Sequence, residues 1–347
     1  MSMHTKVLPP DARALALASR LLQGGGLVAF PTETVYGLGA HALNGRAVES
    51  VFRVKGRPSD NPLIVHLAST DDIASVAREI LPNARALMDA FMPGPLTLVL
   101  KKRSEVPDIV TAGLDTVAVR VPSHPAAAAL LQRCGLPLAA PSANSSQRPS
   151  PTCAAHVLED LGGKIPLIID GGSCEVGIES TVVSVTAQAV TILRPGIVTA
   201  QSIADVLGGS ADCYLGRQSG ADGQYLTDNN PPSSPGIKYR HYAPSCECVA
   251  FFEEQAELLS GEILRRRQAG QAVGVAAYDK VLSGFEYVKT FSLGESDRDA
   301  ASRLFAVLRQ AEKQCDVLFL QAPGGSGIAQ SVLNRVQKAC SGNFFEA

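Results

Sequence analysis

Several cationic and hydroxyl-bearing side chains follow apolar stretches of this 347-residue chain, and such side chains suit the binding of a phosphorylated ligand. The run FPTETVYGLG at 30–39 places two threonines, one carboxylate and two glycines at the end of an apolar stretch. Loops at strand ends are where α/β proteins place ligands. The same composition also suits an ordinary turn, so spacing alone leaves both interpretations open.

A second run, KGRPSDNPLIVH at 55–66, holds two cations around a glycine and a histidine inside an apolar stretch. Lys55 and Arg57 are two residues apart and do not share a helix face, so irregular backbone would let both reach one polyanion. The alternative is that they cap the C-terminus of the preceding helix. His66 is either a ligand-binding residue or a hydrogen-bonded histidine of the core.

Arg120 interrupts an otherwise apolar strand, where a charge needs a cleft or a counter-anion such as an internal carboxylate. The run at 139–152 carries hydroxyls and amides at a strand end, which suits phosphate oxygens and ordinary turns alike. Ser180 and Arg194 lie at the ends of later strands. Arg194 belongs to a set of cationic residues such as a triphosphate requires, and the other members are Lys55, Arg57, Arg120, Lys238, Arg240 and His241.

Apolar periodicity predicts an alternation of helices and strands that ends near residue 207. The predicted helices are 11–23 and 46–54, with further helices around 72–91. The predicted strands are 27–30, 63–67, 96–100, 116–121, 137–140, 167–170, 181–185 and 190–193. The stretch 208–245 is rich in Gly, Ser and Pro, and we predict no regular element there. After it, predicted strands at 248–252, 272–277 and 317–320 alternate with helices at 254–269, 296–314 and 328–339. The predicted organisation is therefore a domain at 1–207, a linker at 208–245 and a smaller α/β domain with a parallel sheet at 246–347.

Composition excludes several classes of protein. The net charge of −2 argues against binding nucleic acid or membranes through bulk charge. Eight cysteines without a CxxC pair, with only Cys246 and Cys248 close together, disfavour a zinc site or a disulfide framework. No signal peptide or membrane-spanning stretch is evident, so we expect a cytoplasmic protein.

Common nucleotide and hydrolase motifs are also missing. The sequence has no GxxxxGK[ST], GxGxxG, GxSxG or HExxH. The run PGGSG at 323–327 could hold an anion at a helix N-terminus, but without an adjacent lysine a structural turn is favoured.

These motifs together resemble the YrdC/Sua5 family of threonylcarbamoyl-AMP synthases in its two-domain form. The motifs that carry the resemblance, in chain order, are FPTETVYGLG (30–39), KGRPSDNPLIVH (55–66), PGPLTLVLK (93–101), TAGLDTVAVRVPSHP (111–125), APSANSSQRPSPT (140–152), GIESTVV (177–183), ILRPG (192–196) and SPGIKYRHYAPS (234–245). They span the first domain and the linker. Over the last 100 or so residues the resemblance is weaker and rests mainly on Asn334 and Arg335.

The resemblance implies an N-terminal YrdC-like α/β domain with a twisted mixed sheet, and a smaller Rossmann-like Sua5 domain joined to it by a long linker. It implies a nucleotidyltransferase that converts L-threonine, bicarbonate (or CO2) and ATP into threonylcarbamoyl-AMP and pyrophosphate. This is the first step of threonylcarbamoyladenosine formation in tRNA, and a separate complex transfers the product to tRNA. Mg²⁺ would accompany ATP without dedicated protein ligands, and neither stable nucleic-acid binding nor membrane association is expected.

The resemblance also assigns residues to roles. The catalytic residues would be Lys55, Arg57 and Arg194. L-Threonine would be bound by Thr34, His66, Arg120 and Ser180. ATP would be bound by Lys55, Arg57, Asn61, Thr116, Ser142, Asn144, Ser150 and Arg194, with Tyr239, Arg240 and His241 of the linker. Those three residues and Tyr242 belong to a segment that would fold over the nucleotide.

The chemistry of the residues agrees with this reaction. A threonine carbamate is already anionic, so its attack on the α-phosphorus needs positioning and charge neutralisation more than a strong base.

Two rival functions remain. An RNA-binding or ribosome-assembly module should be basic and rich in aromatics, whereas the isoelectric point is about 6.3 and aromatics are 5%. A carbamoyltransferase using carbamoyl phosphate would resemble a much longer hydrogenase-maturation protein with paired CxxC motifs, which this chain lacks.

Overall fold

The computed structural model describes residues 3–208, 213–215 and 242–346. The chain divides into two compact units: the first comprises 1–146, 151–175 and 179–239, and the second comprises 147–150, 176–178 and 240–347. The predicted mixed α/β fold is confirmed, with a large mixed sheet in the first unit and a separate parallel sheet in the second. The predicted domain boundaries at 207 and 245 stay predictions.

One mixed sheet organises the first unit. Its described strands are β1 (Lys6–Leu8), β2 (Val28–Phe30), β3 (Gly37–His41), β4 (Ile64–His66), β5 (Leu96–Lys101), β6 (Thr116–Arg120), β7 (Leu138–Ala139), β8 (Leu167–Ile169), β9 (Thr181–Val185), β10 (Val190–Arg194) and β11 (Cys213–Leu215). Their spatial order is β1-β8-β2-β3-β7-β4-β6-β5-β9-β10-β11. At the centre, β4 runs parallel to β6, β5 runs antiparallel to β6, and β9 runs parallel to β5.

Helices cover the two faces of this sheet unequally. The helices of the first unit are α1 (Ala12–Gln23), α2 (Gly45–Lys55), α3 (Pro82–Phe91), α4 (Asp108–Thr111), α5 (Pro125–Cys134), α6 (Ala154–Leu161) and α7 (Ala200–Val206). On one face, α2, α3, α4, α6 and α7 contribute to the largest apolar core. On the other face, α1 and α5 pack on β2, β7 and β8. Farther along that second face, Ile64, Val99, Ala118 and Val182 form a small apolar cluster of strand residues.

The ends of α2 explain where the cations at 55 and 57 lie. The side chain of Asn44 accepts hydrogen bonds from the backbone of the first turn, and Gly56 ends the helix in the left-handed conformation at φ 63°. Glycine adopts this conformation without steric cost, which is why it follows so many helices. Lys55 therefore occupies the last turn, and Arg57 lies on irregular backbone beyond it.

Two of the sequence-based element predictions are wrong in part. The stretch 208–245 does contain a regular element, because Cys213–Leu215 pairs in parallel with β10. The run 30–39 is a loop only up to residue 36, since β3 begins at Gly37 and pairs with β2 and β7. The helices predicted around 72–91 are a 3-10 helix (Asp71–Ser75) and α3, and between them the backbone at 76–78 bonds to 101–103. In each case backbone pairing, which composition does not reveal, decides the structure.

The second unit contains a four-stranded sheet in the order β12-β15-β13-β14, all parallel, as predicted. Its strands are β12 (Glu247–Phe251), β13 (Val273–Ala277), β14 (Lys289–Ser292) and β15 (Val317–Gln321), and its helices are α8 (Ala256–Gln268), α9 (Asp279–Leu282), α10 (Asp297–Ala311) and α11 (Ile328–Ala339). The free thiols of Cys248 and Cys340 lie 3.2 Å apart in its core. Across the described residues, no helix has the length and apolarity needed to cross a membrane.

Candidate functional site

Two of the predicted threonine-binding residues, His66 and Arg120, lie on the face of the first sheet that carries the small apolar cluster. Side chains alternate along a strand, so Thr116, Ala118 and Arg120 of β6 share one face. His66 pairs in register with Arg120, and Arg194 pairs with Val182. The strand-only cluster therefore forms an apolar floor, with polar side chains from four strands at its border.

Arg120 is held by a buried ion pair. Its Nη2 lies 2.8 Å from Oε1 of Glu33, and both side chains are less than a tenth exposed. Its Nε donates to the carbonyl of Gly94 at 3.2 Å, and the second carboxylate oxygen of Glu33 accepts from the Ser123 backbone at 3.2 Å. Burial alone would raise the pKa of Glu33, but the charge of Arg120 and these hydrogen bonds outweigh it, so the pKa is lowered. The sequence had left an internal carboxylate as one option for Arg120, and Glu33 is that carboxylate.

His66 is a neutral histidine at physiological pH. Its pKa is lowered to about 3, because burial and then the charge of Arg120 disfavour the imidazolium. Its Nδ1 lies 3.3 Å from the carbonyl of Ile64. A carbonyl only accepts, so this bond requires a proton on Nδ1 and leaves Nε2 as an acceptor. The imidazole can therefore receive a hydrogen bond from an ammonium or a hydroxyl group.

Thr34 belongs to the loop that also carries Glu33. Its hydroxyl lies 2.9 Å from that of Thr32, which itself donates to the carbonyl of Val35 at 2.7 Å. Thr34 is therefore the donor between the two hydroxyls, and its own lone pairs are left to accept. Both threonines are buried, so the loop is rigidly bonded where it meets Arg120.

Ser180 and Arg194 meet at the opposite border of the floor. The guanidinium of Arg194 donates to the Ser180 carbonyl at 3.1 and 2.9 Å and to the Ser180 hydroxyl at 3.2 Å. The same hydroxyl lies 2.8 Å from that of Thr97 on β5. Gly196 is required here, because a Cβ at that position would lie 2.5 Å from the backbone nitrogen of Thr181. The residues of the ILRPG motif therefore fix a buried cation beside a hydroxyl.

Lys55 holds the turn that follows β7. Its ammonium donates to the carbonyls of Ser142 and Asn144 at 2.5 and 2.6 Å and to the Asn144 side-chain oxygen at 3.3 Å. The Ser142 hydroxyl also donates to that oxygen, at 2.5 Å. Three predicted ATP-binding residues are thus in mutual contact, and the observed contacts of the lysine are with protein oxygens.

Arg57 and Asn61 form a neighbouring group just before β4. The Nη2 of Arg57 lies 3.4 and 3.3 Å from the carbonyls of Asn61 and Pro62. Asn61 is fully buried, yet within the described residues neither polar atom of its side chain has a hydrogen-bond partner. Buried amides are rarely left in this state, so the group is suited to a ligand.

The two ends of β4 bring these groups near one another. The backbone nitrogen of Ala140, two residues before Ser142, bonds to the Ile64 carbonyl at 2.9 Å. His66 ends the same strand only two residues later, which corresponds to about 7 Å. Threonine-sized and phosphate-sized groups bound at the two ends would therefore be neighbours.

Thr116 lies farther away on the same face. It is half-buried and four residues before Arg120, a separation of about 13 Å along β6. It lines a hollow of about 370 Å³ together with Val99 and Ser184. This distance suits a remote part of a nucleotide and not its reacting phosphate.

The remaining predicted residues are not assembled by the first unit. Ser150 is buried but belongs to the second unit, where Arg309 donates to the Pro149 carbonyl at 2.6 Å and Glu312 forms an ion pair with Arg148. In the same unit, Tyr242 packs its ring on Phe305 at 5.0 Å. The predicted linker contacts Tyr239, Arg240 and His241 lie outside the described residues.

Sequence reasoning missed three contributors to the site: Glu33, Thr32 and Thr97. Glu33 lies within the recognised FPTETVYGLG run, and the unexplained buried arginine was the signal that a carboxylate was needed. Thr97 is the one hydroxyl within the apolar run LTLVL, so its position on a buried strand was the available signal.

Comparisons with known proteins cover both units. The sequence model of the Sua5/YciO/YrdC family, described as telomere recombination, matches residues 20–196. A second model, described as threonylcarbamoyl-AMP synthase, C-terminal domain, matches residues 198–341.

Individual relatives match nearly full length. A threonylcarbamoyl-AMP synthase of Pyrococcus abyssi is 41% identical over 329 residues, covering 94% of this chain and 93% of the relative. One from Bacillus subtilis is 41% identical over 342 residues, covering 97% and 96%. The crystal structure of P. abyssi Sua5 complexed with L-threonine superimposes with a TM-score of 0.90 at 38% identity and covers 100% of both chains. The chain therefore belongs to the Sua5/YciO/YrdC family, in the form that carries the Sua5 C-terminal domain.

Proposed function

We propose that this chain is a threonylcarbamoyl-AMP synthase, a nucleotidyltransferase that makes threonylcarbamoyl-AMP and pyrophosphate from L-threonine, bicarbonate and ATP. The observation that carries the proposal is the 41% identity to synthases of this name along almost the whole of both chains. The polar face of the first sheet supports it, because its groups suit one amino acid and one nucleotide.

The threonine side of the site consists of His66, Arg120, Thr34 and Ser180. Arg120 would bind the threonine carboxylate while Glu33 holds the guanidinium in place at 2.8 Å. Nε2 of His66 would accept a hydrogen bond from the amino or hydroxyl group of threonine. Because the imidazole stays neutral, it adds no positive charge that would repel the substrate ammonium.

The nucleotide side consists of Arg57, Asn61, Ser142 and Arg194, with Thr116 toward its far end. The threonine nitrogen bonds to the carbon of bicarbonate, which loses water, and one oxygen of the resulting carbamate attacks the α-phosphorus as the bond to pyrophosphate breaks. Both reactants are negative, so the cations lower the cost of bringing them together. Lys55 would act on this side by fixing the turn at 142–144, and its direct contact with ATP stays a prediction.

We place Mg²⁺ on the ATP phosphates. The phosphates themselves would hold the ion, since no dedicated protein ligand is predicted for it and Mg²⁺ is commonly bound through substrate phosphates and water. Bound there, the ion would neutralise charge on the pyrophosphate leaving group.

The test is pyrophosphate release by the purified full-length chain with ATP, Mg²⁺, L-threonine and bicarbonate. Release should require all of them and should stop when threonine or bicarbonate is omitted. Carbamoyl phosphate should not replace bicarbonate. Release that ignores threonine, or that carbamoyl phosphate supports equally well, would contradict the proposal.

The product would then pass to a separate tRNA-modifying complex, and the enzyme would work as a soluble cytoplasmic protein. These last two points rest on the family resemblance and on the overall charge of −2. A cell-fractionation experiment with tagged protein checks the location.

A further inference from the structure

The second unit contains a hollow of its own at the carboxyl edge of the parallel sheet. It has a volume of about 970 Å³ and is lined by residues that end or follow all four strands, among them Glu253, Tyr278, Glu295, Asp297, Gln321 and Gly324. None of them belongs to the site described above.

The hollow lies where the connections of two neighbouring strands diverge. β13 and β15 are adjacent, but β13 continues through α9 to β14 on one side, whereas β15 continues to α11, which packs on β12 on the other. In parallel sheets, ligands bind in the crevice that such a divergence leaves outside the carboxyl ends of the strands. Tyr278 and Gln321 stand at the ends of these two strands.

Gln321 offers a buried donor to this crevice. Its side chain oxygen accepts from the Tyr278 backbone at 3.0 Å, which fixes the orientation of the amide. The residue is 2% exposed, and among the described residues its Nε2 has no partner. The amide group is therefore arranged to donate to an acceptor atom of a ligand.

Asp297 offers an oriented acceptor opposite this donor. The Tyr278 hydroxyl donates to its Oδ1 at 2.7 Å, which leaves Oδ2 for another donor. Glu253, Glu254 and Glu295 add three more carboxylates, and the only cation among the lining residues, Lys280, pairs with Glu253 at 2.9 Å. The lining residues thus carry a net charge of −3, which disfavours phosphate and favours hydroxyl or amino donors.

The rim supplies an open approach and an aromatic wall. A Cβ on Gly324 would meet nothing within 4 Å, so the protein itself does not require glycine there. Phe252 lines the hollow and is stacked on Phe344 at a centroid distance of 5.4 Å, which holds its ring in place. A flat ring of a ligand could lie against such a wall.

We propose that this hollow binds a ribonucleoside without phosphate groups. The ribose hydroxyls donate to Asp297, an acceptor atom of the base receives the Nε2 hydrogen of Gln321, and the base lies against Phe252. This site is separate from the nucleotide position in the first unit and goes beyond the proposed function.

The test is calorimetric titration of the full-length chain with adenosine, guanosine, cytidine and uridine. The titration is repeated with ATP saturating the first unit, so that binding of a nucleoside at the nucleotide position there is recognised. Gln321→Glu keeps the acceptor for Tyr278 and removes the donor, and Asp297→Asn removes the carboxylate charge. Circular dichroism checks that each variant is folded. If one of the two variants does not fold, the other alone is enough for the test.

We expect the tightest of the four nucleosides to bind equally with and without ATP. Each second-unit variant should weaken binding at least about tenfold, as should removal of the 2′-hydroxyl from the ligand. The matching 5′-monophosphate should bind more weakly, by a factor that shrinks as salt is raised. Binding that disappears when ATP is present, that is unchanged in both second-unit variants, or that is absent for all four nucleosides overturns the proposal. Threonine-dependent pyrophosphate release in Gln321→Glu should equal wild type, so the outcome is independent of the proposed function.

Discussion

Replacing Glu33 with glutamine should destabilise the first unit and impair threonine use, because it removes the anionic partner of a buried arginine. The two groups are 2.8 Å apart, with side chains 4% and 8% exposed, so solvent screens them little. With charge centres about 4 Å apart and an effective dielectric of about 20, their attraction is about 4 kcal/mol. Loss of one member of a buried pair typically costs about 3 to 5 kcal/mol, and the acceptor oxygen that glutamine keeps reduces this loss. We therefore expect a decrease in the free energy of unfolding of about 2 to 4 kcal/mol.

The chain has no tryptophan, so urea unfolding is best followed by circular dichroism. The matched control is Glu79→Gln, which removes the partner of Lys101 from a pair whose side chains are 57% and 48% exposed. Exposed pairs contribute at most about 1 kcal/mol, so this control should scarcely change stability. In the enzyme assay, Glu33→Gln should lower kcat/KM for threonine about 10- to 100-fold, since Arg120 is no longer oriented. Equal stability of the two variants, with normal threonine kinetics, would refute the reasoning about this pair.

Three further predictions concern the same face of the sheet. Arg57→Ala and Arg194→Ala should each keep the fold but release pyrophosphate about 30- to 1,000-fold more slowly in the presence of threonine and bicarbonate, because a lost charged partner costs about 2 to 4 kcal/mol of transition-state stabilisation. Near-normal turnover in either variant would count against the placement of that arginine beside ATP. Folding lowers the pKa of His66 to about 3 from an ordinary value of 6.5, so between these pH values the unfolded state binds a proton that the folded state does not. The stability that comes from the neutral His66 is therefore complete above pH 6.5 and declines as the pH falls toward 3. Between pH 7.5 and 5 the wild type should lose about 2 kcal/mol of unfolding free energy through this one group, and His66→Gln should not show this loss. If urea unfolding gives the same pH dependence of the unfolding free energy for both proteins, the imidazole is not buried as described. Gly196→Ala should lower the melting temperature, because the added Cβ would lie 2.5 Å from a backbone nitrogen at the start of β9. The control Gly45→Ala should not lower it, because a Cβ there meets nothing within 4 Å. Equal melting temperatures of the two variants would contradict the packing described at Gly196.

Sequence reasoning could single out candidate residues because the motifs lie at strand ends, where local composition is informative. A strand that contains His66, a helix end near Gly56 and a cation at a strand end at Arg194 were all predictable from residue types in short windows. The parallel sheet of the second unit followed from the alternation of strands and helices.

What could not be predicted depends on contacts between distant segments. The pairing of Glu33 with Arg120 joins residues 87 positions apart in sequence, so no window contains both. Lys55 likewise donates to two carbonyl oxygens and one side-chain amide oxygen that all belong to residues 142–144. A lysine in the sequence does not by itself indicate which oxygens it will contact. β3 and β11 form because neighbouring strands offer backbone partners, and the hollow of the second unit depends on strand order.

The most direct test of the central claim, that one face of the first sheet joins threonine to a nucleotide, is mass spectrometry of the product formed from ATP, L-threonine and ¹³C-labelled bicarbonate. We predict a threonylcarbamoyl-AMP ion that carries one ¹³C atom and disappears in Arg194→Ala. An AMP product without the labelled threonylcarbamoyl group, or an undiminished adduct in that variant, would contradict the account.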